Sequence, residues 1–447
     1  MTFSPARLAE QLGALEKTAG RPRRYVIAFS GGLDSTVLLH ALAALRESEQ
    51  RYAAVPVIAI HVDHGLQADS LTWRDHCEQV AAGFAVEFRS LSVSVDLNVG
   101  SGPEASARDA RYAALYGTLE DGDWLLSAHH RDDQAETLLL NLIRGSGPAG
   151  VAGIGDVRRF GPGWLLRPML NVDRETLERY ASLHELRWVE DPSNADRKFD
   201  RNFLRHEILP KLASRWPDIA ARLKRSAGHA GEASQLLIEL AELDLAALGS
   251  RPERLPLDHL ARLSRARQRN LIRYALRDLG LSTPTAAQLE RVLDEVIPAR
   301  VDAQPLVSWP GASVRRYRNG LYLLPLNLAE AIEPAVVDGH VHELGAGLGR
   351  LRLEPGAESG LAEALVDAGL SVRPRVGGEE IQLPGQTHTR KLKKLLQEEG
   401  VVPWMRDRLP LLYAGDRLVA VGDLWLSGDA ITRPGVAVRW TGRPALH

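Results

Sequence analysis

Tyr25-Val26-Ile27-Ala28-Phe29-Ser30-Gly31-Gly32-Leu33-Asp34-Ser35-Thr36 is the stretch on which the reading of this chain turns. Residues 25–29 form an unbroken apolar run, as expected of a short strand buried on both faces. Residues 30–35 are small, polar and Gly-rich, and an apolar helical pattern follows from Thr36 to Leu45. A strand–turn–helix corner of this build aims backbone N–H groups and a helix N-terminus at one point, which makes an anion site. Gly31 and Gly32 lack a Cβ, so the backbone can bend sharply and approach a phosphate closely. The segment is neither Gly-x-x-x-x-Gly-Lys-Ser/Thr nor Gly-x-Gly-x-x-Gly, so it offers no lysine to cradle β- and γ-phosphates. The plainer reading is an ordinary corner with two glycines.

Outward from this corner, strand-like runs at 55–62, 86–95 and 124–128 alternate with helix-length segments such as 69–82 and 106–119. Such alternation predicts an α/β fold with a doubly wound parallel sheet, its ligands at the carboxyl ends of the strands. Helical periodicity returns at 173–186, and a basic helix is expected over 201–212. Trp216-Pro217 suggests a boundary, giving a catalytic domain of residues 1–217. Residues 218–335 read as a small, mainly helical domain. It ends in one or two hairpins over 306–326, with Asn319-Gly320 as the turn, and an Ala/Glu/Pro-rich linker at 327–336. Residues 336–447 mix short strands (350–353, 411–413, 418–421) with a helix at 391–399, a C-terminal α+β domain.

The bulk numbers narrow the classes. A chain of 447 residues with 45% hydrophobic and 25% charged residues has a globular profile. A net charge of −2 means that any polyanion must be met by a local patch. Cys77 is the only cysteine, which excludes an internal disulfide, a Cys-rich zinc site and a two-cysteine sulfur relay. No apolar run reaches the length of a membrane span, and the N-terminus lacks the apolar core of a signal peptide. A cytoplasmic protein without membrane contact is expected, and both a monomer and a homodimer remain open.

Asp34 lies inside the phosphate loop, where its carboxylate would repel a phosphate unless a cation such as Mg²⁺ intervened. Its plainer role is to cap the following helix. Ser30, Ser35 and Thr36 supply hydroxyl donors. His61-Val62-Asp63-His64-Gly65-Leu66 ends the second strand, where such a sheet grips an adenosine; a metal site is the alternative for two histidines and an aspartate. Arg108 and Arg111 share a helix face and suit charge at a phosphoryl centre, or only a solvated face with Glu104–Arg108 as an i,i+4 pair. Asp133 and Glu136 also share a helix face after His129-His130. They suit an ammonium group whose proton must be removed, or else spell a capping box. Gly145-Ser146-Gly147 reads as a flexible element or a plain loop.

Basic residues are concentrated locally. Nine Lys/Arg stand against three acids between Arg197 and Arg225, and Arg390-Lys391-Leu392-Lys393-Lys394 contains no acid. Such patches mark contact with a phosphate backbone when they are not merely solvated.

Ser30-Gly31-Gly32-Leu33-Asp34-Ser35 resembles the PP-loop of the N-type ATP pyrophosphatases, which split ATP into AMP and pyrophosphate. With His61-Val62-Asp63-His64, Arg108, Arg111-Tyr112, His129-His130, Asp133-Gln134, Glu136-Thr137, Arg167-Pro168, Asp191-Pro192-Ser193-Asn194, Arg201, Arg205, Lys391, Lys393-Lys394 and Trp404, the ordered set is similar to the tRNA(Ile)-lysidine synthase family. The resemblance spans nearly the whole chain and is weakest over 218–335. It implies adenylation of the wobble cytidine of tRNA(Ile) with a CAU anticodon, at its C2 oxygen. Attack on C2 by free L-lysine then expels AMP and leaves lysidine, which changes decoding from AUG to AUA. It implies an ATP site at Ser30, Gly31, Gly32, Leu33, Asp34, Ser35, Thr36, His61 and Asp63, with Mg²⁺ on Asp34. Arg108 or Arg111 would act at the α-phosphorus, His129 in proton or phosphate handling, and Asp133 and Glu136 on lysine. Arg201, Arg205, Arg390, Lys391, Lys393 and Lys394 would hold tRNA. The nearest alternative, tRNA thiolation, leans on cysteines or an iron–sulfur cluster, and Cys77 alone cannot supply a pair.

Overall fold

The computed structural model describes residues 2–63, 70–94, 103–249, 251–300, 303–327, 332–337, 339–345 and 347–446. His64, Gly65 and Leu66 of the second strand's loop lie outside the described residues. The chain divides into two compact units, Met1–Leu236 and Leu237–His447.

The first unit runs α1 (Pro5–Ala19), β1 (Arg24–Ala28), α2 (Leu33–Ser48), α3 (Gln50–Ala53), β2 (Val57–Asp63), α4 (Ser70–Gly83), β3 (Glu87–Ser92), α5 (Pro103–Tyr116), β4 (Asp123–Leu126), α6 (Arg131–Ile143), α7 (Pro148–Val151), β5 (Val157–Phe160), β6 (Gly163–Leu166) and α8 (Arg174–Leu183). Its sheet has the order β3-β2-β1-β4-β6-β5. Every pairing is parallel except that of the edge strand β5 with β6. The sequence reading missed this last hairpin. Arg158-Arg159 breaks the apolar run of β5, and β6 is four residues long.

The strands read as apolar because both faces are covered. Tyr25, Ile27, Val57, Ala59, Trp124, Leu126 and Leu166 point to the core formed with α1, α2, α4 and α8. Val26, Ile58, Ile60, Leu125 and Leu165 point to the core closed by Leu115 and Leu119 beside α5. This period-two division is the pleat expressed as packing. The carboxyl ends of β1, β2, β4 and β6 therefore open together along one edge, where the motif residues sit.

The predicted basic helix is a continuous run of α9 (Asp200–Phe203), a π turn (Leu204–Ile208) and α10 (Leu209–Arg215). The long helix α11 (Ile219–Leu248) follows and carries the boundary between the units.

The second unit holds two cores. Helices Arg265–Asp278 and Ala286–Arg291 pack on a four-stranded sheet that includes the meander Leu306–Trp309, Ala312–Tyr317 and Gly320–Leu324. The turn falls at Arg318-Asn319, one residue before the expected Asn319-Gly320. Arg318 takes the left-handed conformation (φ 50°), while Gly320 already pairs with Tyr317. Beyond it, two five-stranded sheets share a core with Leu392, Leu395 and Leu396 of the helix Leu392–Glu399. Ala335–Val336, expected in a linker, is a short strand paired with Ser371–Arg373. Among the described residues no helix is long and apolar enough to cross a membrane.

Candidate active site

The loop after β1 is built to be rigid. Gly31 has φ +76°, and a Cβ there would lie 2.6 Å from Cys77 Sγ and 2.9 Å from Trp73 Nε1. Trp73 Nε1 donates to Ser30 O at 2.7 Å, and Val189 N donates to Gly31 O at 3.0 Å. The hydroxyls of Ser35 and Thr36 donate to Gly32 O at 3.1 and 3.0 Å. Thr36 is buried, and Leu33 belongs to the hydrophobic core. These hydroxyls brace the loop, and Ser30 and Ser35 also line the site's cavity, whereas Thr36 does not.

Gly32 is the N-cap of α2, so Asp34 is the second residue of the helix, within its first turn, and does not cap. Its Oδ2 lies 3.2 Å from Arg174 Nη1 and 3.7 Å from His130 Nε2. Its Oδ1 is buried without a hydrogen-bond partner. Burial raises the Asp34 pKa, while His130 and Arg174 oppose the rise. Among the described residues no group of three or more His, Cys, Asp or Glu could hold a metal by itself. A lone carboxylate oxygen beside a phosphate loop fits Mg²⁺, which typically takes one or two carboxylates and completes its shell with substrate phosphates and water.

Ser30, Asp34, His61, Asp63, Arg108, Arg111, His129, Asp133, Arg201 and Arg205 all line one cavity of about 650 Å³. His61 Nδ1 lies 3.1 Å from Phe29 O, and burial lowers its pKa. An Nδ1–H donating to that carbonyl leaves Nε2 as an acceptor. Arg111 keeps an exposed surface, and partial desolvation lowers its pKa. His129 Nδ1 sits 2.7 Å from Ser127 Oγ, and burial pushes this imidazole down to about 3. It is neutral at physiological pH.

His130 goes the other way. Burial would lower it, but Asp133, Asp132 and Asp34 outweigh burial and raise its pKa. Its Nε2 is buried between Asp34 Oδ2 (3.7 Å) and Asp133 Oδ2 (3.5 Å). His130 is also the N-cap of α6: its backbone N–H donates to Asp133 Oδ2 at 2.9 Å. The capping box at this helix is thus His130–Asp133, not Asp133–Glu136.

The largest departure from the sequence reading concerns Arg201 and Arg205. Both turn inward. Arg201 Nε donates to Glu136 Oε2 at 2.7 Å and its Nη2 to Asp133 Oδ1 at 2.9 Å. Arg205 Nε donates to Glu136 Oε1 at 2.6 Å, and its Nη2 reaches Glu136 Oε2 at 3.0 Å. Glu136 is fully buried. Burial favours a protonated Asp133, but His130, Arg201 and His129 pull its pKa well below the usual carboxylate range. Two carboxylates and two guanidinium groups close a charge-balanced cluster, and neither arginine stands on an open face. Arg390 is likewise paired, with Glu398 at 2.6 Å, whereas Lys391, Lys393 and Lys394 are exposed.

The comparisons with known proteins agree along the chain. The PP-loop domain family matches residues 6–212, the TilS substrate binding domain 255–322 and the TilS substrate C-terminal domain 370–440. A tRNA(Ile)-lysidine synthase of Alkalilimnicola ehrlichii is 45% identical, covering 100% of this chain and 96% of that protein. The chain belongs to the tRNA(Ile)-lysidine synthase family. Proteins of the same name from Methylococcus capsulatus and Coxiella burnetii are 41% and 38% identical, over 93% and 94% of this chain and 96% and 92% of their own lengths.

For a member of the tRNA(Ile)-lysidine synthase family, two residues near the loop escaped the sequence reading. Arg174 stands at the first position of α8, where a cation opposes the helix dipole. That misplacement was the available signal, and its guanidinium is held on Asp34. Trp73 gave none, because the close approach of its helix to Gly31 is purely tertiary.

Proposed function

We propose that this chain uses ATP to join lysine to C2 of the wobble cytidine in tRNA(Ile) with a CAU anticodon. The observation that carries this reading is the single cavity onto which the phosphate loop, the His61–Asp63 strand end, Arg111, His129 and the Asp133–Arg201–Arg205 cluster all open. In the first step the C2 oxygen of cytidine attacks the α-phosphorus, and the bond to the bridging oxygen breaks to release pyrophosphate. The loop of residues 30–35 receives the pyrophosphate end, and Arg111 offsets charge at the α-phosphorus. Mg²⁺ held by Asp34 would supply charge neutralisation at the phosphates. His61 and Asp63 border the adenosine.

In the second step a neutral lysine amine attacks C2, the C2–O bond breaks, and AMP leaves with the oxygen. Free lysine carries an α-ammonium and an α-carboxylate, and the cluster of Asp133, Glu136, Arg201 and Arg205 offers both opposite charges in one place. Binding there leaves the side-chain amine to reach C2. Asp133, with its lowered pKa, holds charge and is a poor proton acceptor. Lys391, Lys393 and Lys394 meet the RNA backbone, and Arg201 and Arg205 pass from RNA contact to amino-acid recognition. Sulfur delivery is disfavoured further: Cys77 is fully buried, and burial pushes its thiol up to about 12.

Labelled lysine tests this with two tRNA(Ile) transcripts, one with a CAU anticodon and one with uridine at the wobble position, in ATP and Mg²⁺. Label in the first alone is expected. ATP cleavage to AMP without label in either would remove lysine as the nucleophile.

A further inference from the structure

Away from the phosphate loop, three guanidinium groups gather on one aromatic ring. Arg108 and Arg158 place their guanidinium carbons 5.1 and 5.9 Å from the centre of the Tyr112 ring. Arg167 lies beside Tyr112, and its Nη1 donates to Gly155 O at 2.6 Å. Phe160 closes the group from below, 5.7 Å from Tyr112 and 5.3 Å from the Arg158 guanidinium.

The topology explains the gathering. Arg158 pairs with Leu165 across the β5–β6 hairpin, so it projects to the face that α5 covers. Arg167 leaves the carboxyl end of β6, and Arg108 lies in α5 one turn before Tyr112. Among the described residues no carboxylate lies within ion-pair distance of any of the three. Burial and the charges of Arg158 and Arg108 act against a charged Arg167, which is 5% exposed and has an Nε buried without a partner. Cation–π contacts relieve such crowding only in part, since each is worth about 0.5–2 kcal/mol. An arginine cluster with no carboxylate partner among the described residues has the form of a phosphate site.

We propose that Arg108, Arg158 and Arg167, collected on Tyr112 at the edge of the cavity, form a second anion subsite that takes a phosphodiester of the RNA strand beside the target cytidine. This rests on the ATP placement proposed above. The phosphate loop follows β1 and the adenosine lies towards β2. Arg158 lies on β5, three strands the other way, roughly 14 Å at the usual strand spacing. The triphosphate therefore runs away from this cluster. β5 is also the open edge of the sheet, where a long polyanion has access. A phosphodiester bound here would hold the anticodon strand while its cytidine enters the cavity, as recognition of splayed-out single-stranded bases requires.

The test uses the full-length protein and the CAU transcript. Arg158 is exposed, so R158Q should fold as the wild type does. Its KM for RNA is expected to rise about tenfold, its KM for ATP to stay unchanged, and the slope of log affinity against log salt to fall by about one. R158K keeps the charge and should retain the slope while losing part of the affinity. A KM for ATP that rises in place of the RNA effect would assign the anion to the nucleotide and overturn the proposal. An unchanged RNA affinity and salt slope would overturn it as well. A wild type that binds the transcript without incorporating lysine would refute the proposed reaction instead, while the salt slopes still decide the subsite.

Discussion

Two basic segments that look alike in the sequence have opposite fates in the fold. Around residues 197–211, Arg201 and Arg205 point into the protein and are spent on Glu136 and Asp133, while Arg197 and Lys211 share Glu207. At residues 390–394, Leu392 goes to the core and leaves Lys393 and Lys394 in solvent without an ion pair among the described residues. Charge density along a chain measures neither exposure nor availability. What separates the segments is the partner across the fold: a buried carboxylate about 65 residues upstream in one case, and apolar neighbours that fix only the inner face of a helix in the other. The first segment should matter for stability and amino-acid recognition, the second for salt-dependent binding.

The sharpest way to break this contrast is to remove one inner arginine. R205A leaves Glu136 fully buried with half of its counter-charge gone, and breaking a buried pair typically costs about 3–5 kcal/mol. Denaturant unfolding should show that loss, and it should be insensitive to salt because the pair is shielded from solvent ions. K393A/K394A should stay within about 0.5 kcal/mol of the wild type, the usual range for surface changes. Equal stability of R205A and the wild type would mean that the inner cluster is not a structural charge balance. A smaller effect belongs to the outer patch. K393E/K394E should weaken tRNA binding about tenfold or more and lower the salt slope by roughly one to two. A slope identical to the wild type would make residues 390–394 a solvated face and erase the functional half of the contrast.

The same division explains what could be seen in the sequence. The strands β1, β2 and β4 were legible because burial on both faces makes them nearly continuous apolar runs. The phosphate loop was legible because its chemistry is local. The β5–β6 hairpin was not, because the arginines of β5 serve aromatic rings: Arg158 stacks on Tyr112 and Phe160, and Arg159 lies 4.1 Å over Trp164. The one-residue shift at Arg318 was also hidden, since Gly320 is needed in the strand: a Cβ there would lie 2.7 Å from the Tyr322 ring. In the site, residue types were legible and pairings were not. Asp133, Glu136, Arg201 and Arg205 were all singled out, yet that they pair with one another depends on α6 meeting α9 and the π turn after it in space.

The inner region carries one more property that the outer patch lacks, a dependence of stability on acid. The folded pKa of His129 is depressed to about 3, against an ordinary value of 6.5, because burial disfavours the imidazolium. Above pH 6.5 the imidazole is neutral in both states and adds no pH dependence. Between 6.5 and about 3 the unfolded chain takes up a proton that the folded chain refuses, so stability falls as pH falls through that window. Asn at this position cannot titrate. H129N should therefore lose less stability than the wild type between pH 7 and pH 4.5, whatever its stability at neutral pH. The carboxylates that do not face His129 contribute equally in both proteins and cancel in the comparison. Parallel stability–pH curves for the two proteins would show that His129 is hydrated in solution, and that the inner cluster is as open to water as the lysines at 393 and 394.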